Sequence, residues 1–122
     1  MKFTKMHGAG NDYLYIDARG HDDSGTDWSQ LSRSMSDRHL GVGSDGIILI
    51  KDSGIADLKM RMFNADGSEG EMCGNGIRCF AKYAIDRGIA TPAAHGLEVE
   101  TLAGIRTVVP IYEANRMIGA RV

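Results

Sequence analysis

The pattern of apolar and polar residues predicts six short strands and two helices. Residues 46–51 (GIILIK) form a β-branched apolar run, which is typical of a strand buried on both faces. Residues 58–62 alternate between apolar and polar, as expected of a strand with one buried face. The other predicted strands are residues 3–6, 13–16, 96–101 and 105–111. The last six residues are also strand-like, and we expect such an ending in a fragment of a longer protein.

The first predicted helix follows a cap at Thr26 or Asp27 and ends near residues 38–41. The second covers residues 75–87 and is apolar around most of its circumference, so we expect it to be largely buried. Strands and helices do not alternate regularly, which disfavours a doubly wound parallel sheet. The order instead favours an α+β domain in which a sheet wraps around one central helix.

Glycine and polar residues cluster between the predicted strands. Residues 7–12 are predicted to form a polar turn, which is a candidate ligand loop. Asp12, Asp45 and Asp66 lie in such turns, where aspartate commonly accepts hydrogen bonds from its own backbone. We therefore expect a structural role for these carboxylates, rather than a catalytic pair.

Composition excludes several classes of function. The 122 residues are 43% hydrophobic and 25% charged, which suits a single globular domain. The net charge of −2, without any basic run, makes nucleic acid an unexpected partner. The longest apolar run, residues 47–50, is too short to span a membrane, and polar residues interrupt the N-terminus, so we expect a cytoplasmic protein. The two cysteines are expected to be reduced thiols.

Cys73 lies where a polar, glycine-rich loop meets the second predicted helix. The unpaired N–H groups and positive dipole of a helix N-terminus favour negative charge, whether on a thiolate or on a bound carboxylate. Gly74 and Gly76 leave room for an anion, and Asn75 adds a side-chain donor. This combination suits proton transfer at the α-carbon of an amino acid, although an inert thiol beside an ordinary glycine turn has the same local pattern.

Three segments resemble those of diaminopimelate epimerases, which are cofactor-independent amino-acid epimerases. They are residues 62–83 (MFNADGSEGEMCGNGIRCFAKY), residues 5–17 (KMHGAGNDYLYID) and, less closely, residues 38–47 (RHLGVGSDGI). The resemblance implies an isomerase of lysine biosynthesis that interconverts LL- and meso-diaminopimelate without pyridoxal phosphate or metal. It also implies a mostly antiparallel sheet wrapped around a central helix.

The resemblance assigns roles to individual residues. Cys73 is implied to be a catalytic acid/base thiol. The implied substrate contacts are Asn11, Asn64, Gly74 and Asn75. Some family members carry a substrate-contacting glutamine two residues after the position of Ser44, where this chain has Gly46, so that contact is absent or replaced here.

Inversion of a stereocentre by proton exchange needs acid/base groups on both faces of one carbon. Along a helix, six residues advance about 9 Å and rotate the side chain by about 120°, so Cys79 is badly placed to be the partner of Cys73. We expect Cys79 to pack in the core. In the family, a second half supplies the second cysteine. Residues 1–122 are therefore expected to be an N-terminal catalytic half-domain whose C-terminal half is absent, with little activity alone unless it forms a homodimer.

Other functions remain open at this point. The chain could be a non-catalytic carboxylate-binding or structural fragment, or a proline racemase-like isomerase with the same architecture. A thiol redox sensor would also use a helix-terminal cysteine, but Cys79 is a poor resolving partner. A zinc site is not expected, because the histidines and cysteines have no local ligand spacing. The expected partner is a small amino-acid substrate.

Overall fold

The computed structural model describes residues 2–8 and 10–122, which fold into eight strands and two α-helices with a short 3-10 helix at Asp23–Gly25. The first part of the chain contains β1 (Thr4–Gly8), β2 (Asn11–Asp17), α1 (Trp28–Ser36) and β3 (Gly46–Lys51). The second part contains β4 (Leu58–Asn64), β5 (Glu69–Gly70), α2 (Gly74–Asp86), β6 (Leu97–Thr101), β7 (Gly104–Glu113) and β8 (Arg116–Arg121). Neither α-helix is long and apolar enough to cross a membrane.

The strands form one curled sheet in the order β1-β2-β3-β4-β6-β7-β8, with β5 paired to β4. Two pairs, β2–β3 and β4–β6, are parallel, and the other described pairs are antiparallel. Helix α2 contacts β1, β2 and β3 as well as β7 and β8, so the sheet wraps around it. The predicted α+β fold, with a mostly antiparallel sheet around a central helix, is confirmed.

Strand β3 separates two layers of core, because its side chains are buried on both faces. On one face, Ile48 and Ile50 pack in a cluster with Ile77 and Phe80 of α2. On the other, Ile47 and Leu49 pack in a cluster with Trp28 of α1. Burying each large aliphatic or aromatic side chain contributes about 1.5–3 kcal/mol, so the buried face of α2 holds the helix firmly against the sheet.

Several predicted boundaries were wrong. The polar segment 7–12 is mostly strand: β1 continues to Gly8 and β2 begins at Asn11, with His7 paired to Asp12. The strand tolerates Asp12 because the Asp12 carboxylate pairs with Lys5 and Arg38. The backbone N–H of Asp12 donates to the Asp45 carboxylate. Helix α1 ends earlier than predicted, at Ser36. Asp37 leaves the helix in an extended conformation, and its carboxylate accepts hydrogen bonds from the backbone N–H groups of His39 and Leu40 in the turn that follows.

The β7–β8 hairpin was only partly predicted. Its strands are joined at Ala114 and Asn115, which have φ values of 52° and 65°. Two consecutive positive φ angles fit the twist of a hairpin, but asparagine-glycine is the usual sequence there. The turn therefore gave little signal, whereas the strand-like character of the last residues was correct.

Candidate active site

Cys73 caps the N-terminus of α2 at the end of the sheet where β2 and β3 begin and β4 ends. Its backbone is extended, with φ −131° and ψ 122°, and its carbonyl oxygen accepts the first helical hydrogen bond from Ile77 at 2.8 Å. The side chain makes no capping bond. The half-buried thiol is therefore fixed beside the first turn of the helix without being used to complete it.

The first turn of α2 presents free donors. None of the residues that the structure describes accepts a hydrogen bond from the backbone N–H groups of Gly74, Asn75 or Gly76. The Asn75 side chain is half-buried and likewise has no described partner. Together with the helix dipole, these groups form a site that favours a carboxylate or another small anion next to the thiol.

The two glycines that flank Asn75 have different surroundings. A Cβ at Gly74 would meet nothing closer than the guanidinium of Arg78, at 3.4 Å. A Cβ at Gly76 would lie 2.9 Å from Cδ1 of Ile48 on β3 and 3.4 Å from Cβ of Cys73. Gly74 therefore leaves access to the helix N-terminus, whereas Gly76 allows the helix to pack closely on the sheet.

Two side chains of β2 point at the sulfur of Cys73. The amide nitrogen Nδ2 of Asn11 lies 4.0 Å from Sγ, and the hydroxyl of Tyr13 lies 3.6 Å from it. The two residues are two positions apart on one strand, so they share a face of the sheet. The family resemblance implied Asn11 but no argument from the sequence singled out Tyr13, although the two-residue spacing on one strand was visible.

Tyr13 is almost completely buried, with 7% of its surface exposed. Burial is the main reason that its pKa is raised well above the usual range, and the contact with Cys73 raises the pKa further. The phenol therefore keeps its proton at neutral pH and can donate a hydrogen bond to the sulfur.

Asp12, the residue after Asn11, belongs to an ion-pair cluster that fixes the start of β2. The backbone N–H of Asp12 donates to the Asp45 carboxylate at 2.8 Å, and the Asp45 N–H donates to the Asp12 carbonyl at 2.8 Å. Arg38 contacts both carboxylates, and Lys5 contacts Asp12. The Arg38 hydrogen bond is the main cause that lowers the pKa of Asp12 to about 2.

The expectation that turn aspartates bond their own backbone holds only in part. Asp66 accepts a hydrogen bond from the nearby Ser68 amide at 2.9 Å, as expected. Asp12 and Asp45 were expected to do the same, and that was wrong. They join β2 to the start of β3, an arrangement that depends on the tertiary fold.

Asn64 ends β4 and is paired with Gly46 of β3, at the same end of the sheet as Asn11. Its Nδ2 donates to the Ser68 hydroxyl at 3.1 Å, and its backbone N–H donates to the Ser68 carbonyl at 2.8 Å. Among the described contacts, none joins it to Cys73. The structure therefore brings Asn11, Gly74 and Asn75 next to Cys73, and it places Asn64 at the same end of the sheet without a described contact to the thiol.

Gly46 has no space for a side chain. A Cβ there would overlap the carbonyl oxygen of Phe63 on the neighbouring strand β4. A glutamine at this position would require β4 to move, so the amide contact made by some family members is absent here.

Cys79 lies on a different side of α2 from the candidate site. Its half-buried thiol packs at the margin of the core and donates to the His7 carbonyl of β1 at 3.7 Å. Burial raises the pKa of this thiol. Its packing at the core margin agrees in part with the expectation that it packs in the core.

Other features of the surface do not overlap the thiol site. A cavity of about 1000 Å³, lined by residues that include Ile16, Trp28 and Arg87, lies at the opposite end of β2 and α2. In the described ranges 2–8 and 10–122, no three His, Cys, Asp or Glu side chains cluster so as to hold a metal ion.

Comparison with known proteins identifies the family. A family model described as diaminopimelate epimerase matches residues 3–119. A diaminopimelate epimerase from Caldanaerobacter subterraneus subsp. tengcongensis is 54% identical over 105 residues, which cover 86% of this chain and 36% of the relative. Those from Desulfovibrio desulfuricans and Methanococcus maripaludis are 50% and 48% identical over all 122 residues, which cover 41% and 43% of the relatives.

Solved structures share the fold at low sequence identity. A phenazine biosynthesis protein of the PhzF family from Bacillus anthracis has a TM-score of 0.67 and 23% identity, with 93% of this chain and 36% of that chain covered. A hydroxyproline epimerase from Agrobacterium vitis has a TM-score of 0.69 and 14% identity, with 94% and 38% covered. At these identities the likeness shows the fold alone.

The chain thus spans less than half the length of the curated relatives that it matches. The match nevertheless includes the N-terminus of α2, Cys73 and the β1–β2 segment that approaches the thiol. Because the family model covers nearly all of the sequence, the chain belongs to the diaminopimelate epimerase family.

Proposed function

We propose that this chain supplies one half of the active site of a diaminopimelate epimerase, in which Cys73 exchanges the proton at the α-carbon of the substrate. The main support is the position of the thiol, which stands at an accessible helix N-terminus between free amide donors and the side chains of β2. Such a site binds the carboxylate of an amino acid and holds the thiol next to the adjacent carbon.

The proposed substrate contacts divide between two elements. The amides of Gly74 and Asn75 hold the α-carboxylate, because they are the free donors of the helix N-terminus. Asn11 lies on the β2 side of the thiol and can bind the substrate or the sulfur. Asn64, which lies at the same end of the sheet without a described contact to the thiol, binds a polar group of the substrate farther from the α-carbon.

In the proposed reaction, a thiolate on one face removes the α-proton, and a thiol on the other face delivers a proton to the same carbon. The C–H electron pair is held by the carbon and its carboxylate until the new C–H bond forms, so each thiol changes protonation state and no cofactor is consumed. Cys73 serves one face, and reversal of the reaction exchanges the roles of base and acid.

The second thiol must come from outside this site, because Cys79 packs against β1. We propose that residues 1–122 are the N-terminal half-domain and that the second half of a longer protein supplies the opposing group. The relatives' greater length supports this arrangement. The isolated chain then binds substrate weakly and does not invert it. The proposed reaction belongs to lysine biosynthesis. Both cysteines of this chain are proposed to be reduced, which suits a cytoplasmic protein.

The test is a chimera in which these 122 residues replace the matching part of the Desulfovibrio desulfuricans enzyme, to which they align along their whole length. Interconversion of LL- and meso-diaminopimelate, and exchange of the α-hydrogen in deuterated water, are followed by mass spectrometry. We expect turnover by the chimera, and a loss of about a thousandfold or more in Cys73→Ala. The matched control is Cys79→Ala, which should stay within about threefold of the parent.

The outcomes separate the alternatives. A folded chimera that interconverts neither epimer, beside an active Desulfovibrio enzyme, would reject the proposed activity. Turnover that survives Cys73→Ala would reject the role of the thiol. Rapid inversion by the isolated chain, together with a dimer in sedimentation, would mean that two copies build the site and that no second half is needed.

A further inference from the structure

We propose that Tyr13 is a positioning residue that donates a hydrogen bond to the sulfur of Cys73 and stabilises the thiolate form. Its importance in catalysis rests on the proposed epimerase function, but its action on the thiol can be measured without turnover. Neither the sequence motif around Cys73 nor the family resemblance assigned a role to this side chain.

The geometry is that of a donor fixed by the sheet. The Tyr13 hydroxyl lies 3.6 Å from Sγ of Cys73, within the longer range of hydrogen bonds to sulfur. The ring is held in the core, and the next residue, Leu14, pairs with Ile47 of β3. The backbone of Cys73 is positioned independently, as the N-cap of α2. Two rigid elements thus set the contact, and little entropy is lost in forming it.

The direction of the hydrogen bond makes it sensitive to ionisation. A neutral thiol can donate weakly to the phenol or accept from it, but a thiolate can only accept. Burial keeps Tyr13 protonated, since its pKa lies far above the usual range. The phenol therefore stabilises the thiolate more than the thiol, because hydrogen bonds to charged acceptors are the stronger ones.

The other titratable groups around Cys73 act at longer range. Tyr15, the next residue of β2 on the same face, donates instead to the Gly76 carbonyl at 2.9 Å. Cys79 and Lys82 belong to α2, and Arg78 reaches back beside Gly74. Asp12 and Asp45 lie near Tyr13 but are bound to Arg38. Tyr13 is thus the titratable side chain that contacts the sulfur directly among the described residues.

The experiment measures how fast iodoacetamide alkylates Cys73 from pH 5 to pH 10 in the Cys79→Ser background, where Cys73 is the sole thiol. Tyr13→Phe keeps the buried ring and removes the hydroxyl. We expect its alkylation rate at pH 7 to fall by about tenfold and the midpoint of the pH profile to rise by about one unit. The matched control is Tyr15→Phe, which removes a neighbouring hydroxyl of the same strand and should leave the midpoint unchanged.

A second variant guards against structural loss. Replacing Tyr13 by 3-fluorotyrosine makes the phenol a stronger donor in a ring of nearly equal size, so the midpoint should fall below that of the parent. Tyr13→Phe with an unchanged midpoint would overturn the inference, as would equal shifts in both phenylalanine variants. A fluorotyrosine midpoint that does not fall below the parent value would also overturn it.

The chimera then separates this inference from the proposed function. Tyr13→Phe should lower kcat by about the same tenfold factor and change KM little, because the lost bond acts on the thiolate rather than on substrate binding. An inactive parent chimera would reject the epimerase proposal while leaving the alkylation result standing. An active chimera with an unchanged kcat in Tyr13→Phe would reject the catalytic importance of Tyr13 and leave the epimerase function intact.

Discussion

Gly74 and Gly76 stand two residues apart at the start of α2, and replacing each by alanine should affect stability in opposite directions. Alanine is about 1 kcal/mol more favourable than glycine within a helix. At Gly74 the new methyl group meets only the Arg78 guanidinium, at 3.4 Å. We therefore expect Gly74→Ala to stabilise the chain by about 0.5–1 kcal/mol.

At Gly76 the same gain is outweighed by crowding. The methyl group would lie 2.9 Å from Cδ1 of Ile48, a completely buried side chain whose rotation would disturb the packing around it. Overpacking of this kind costs about 1–3 kcal/mol, so the net effect of Gly76→Ala is a loss of up to about 2 kcal/mol. The separation between the two variants should be about 1–3 kcal/mol.

At Gly74, the alanine substitution should raise stability but weaken substrate binding. Its alanine variant is expected to be the more stable one, yet its methyl group would stand where the proposed substrate carboxylate approaches the helix N-terminus. In the chimera we expect Gly74→Ala to raise KM by about tenfold or more, which corresponds to one weakened charged hydrogen bond. A Gly74→Ala variant with higher folding stability and higher KM would show that Gly74 serves substrate binding at a cost to folding stability.

Urea unfolding followed by the fluorescence of Trp28 measures both stabilities, because this buried residue is the sole tryptophan of the chain. Unchanged m-values would confirm that the variants differ in stability and not in compactness. The reasoning is refuted if Gly76→Ala proves as stable as Gly74→Ala, or if Gly74→Ala leaves KM unaltered.

Two further predictions concern the first residues of strands β2 and β3, beside the site. The pKa of Asp12 is lowered to about 2 in the fold, against about 3.9 in an unfolded chain. Its contribution to stability is therefore complete above pH 4 or so and is lost as the pH falls through 2. Arg38→Met should flatten this part of a plot of unfolding free energy against pH, and an unchanged slope would contradict the assignment. Gly46→Gln should lower the free energy of unfolding, measured in urea, by about 1–3 kcal/mol or more, because β4 must move away from β3. A stable variant with a lower KM in the chimera would contradict this, because it would show that a side chain fits at residue 46.

The sequence predicted the central elements well because their apolar patterns are strong. Strand β3 and helix α2 were placed within one residue of their observed ends. Strand β3 is buried at nearly every position, and α2 buries an apolar face against the sheet, so both segments carry a strong apolar signal. Short or polar elements escaped prediction for the opposite reason. Strand β5 has only two residues, and its pairing with β4 follows from the loop that connects them.

The part of the site formed by consecutive residues at the start of α2 could be predicted from the sequence, whereas the part contributed by β2 was much harder to predict. A cysteine followed by glycine and asparagine at a helix start carries its chemistry in consecutive residues. The approach of Tyr13 to Cys73 joins residues 60 positions apart, and that of Asn11 joins residues 62 apart. Family resemblance supplied Asn11. Tyr13 was treated only as part of a strand, because burial of an aromatic ring is the ordinary expectation on β2.

The described site has donors on two sides of one thiol, and both sides belong to this chain. Helix α2 positions Cys73 and the free amides of its first turn, while β2 positions the hydroxyl of Tyr13 and the amide of Asn11 beside the sulfur. The ion pairs of Asp12 with Arg38 and Lys5 hold β2 from behind. None of these contacts uses Cys79. The isolated chain should therefore show a reactive Cys73 even when it cannot invert a substrate. Catalysis would then depend on a second thiol reaching the opposite face of the carbon, and not on any reorganisation of the first.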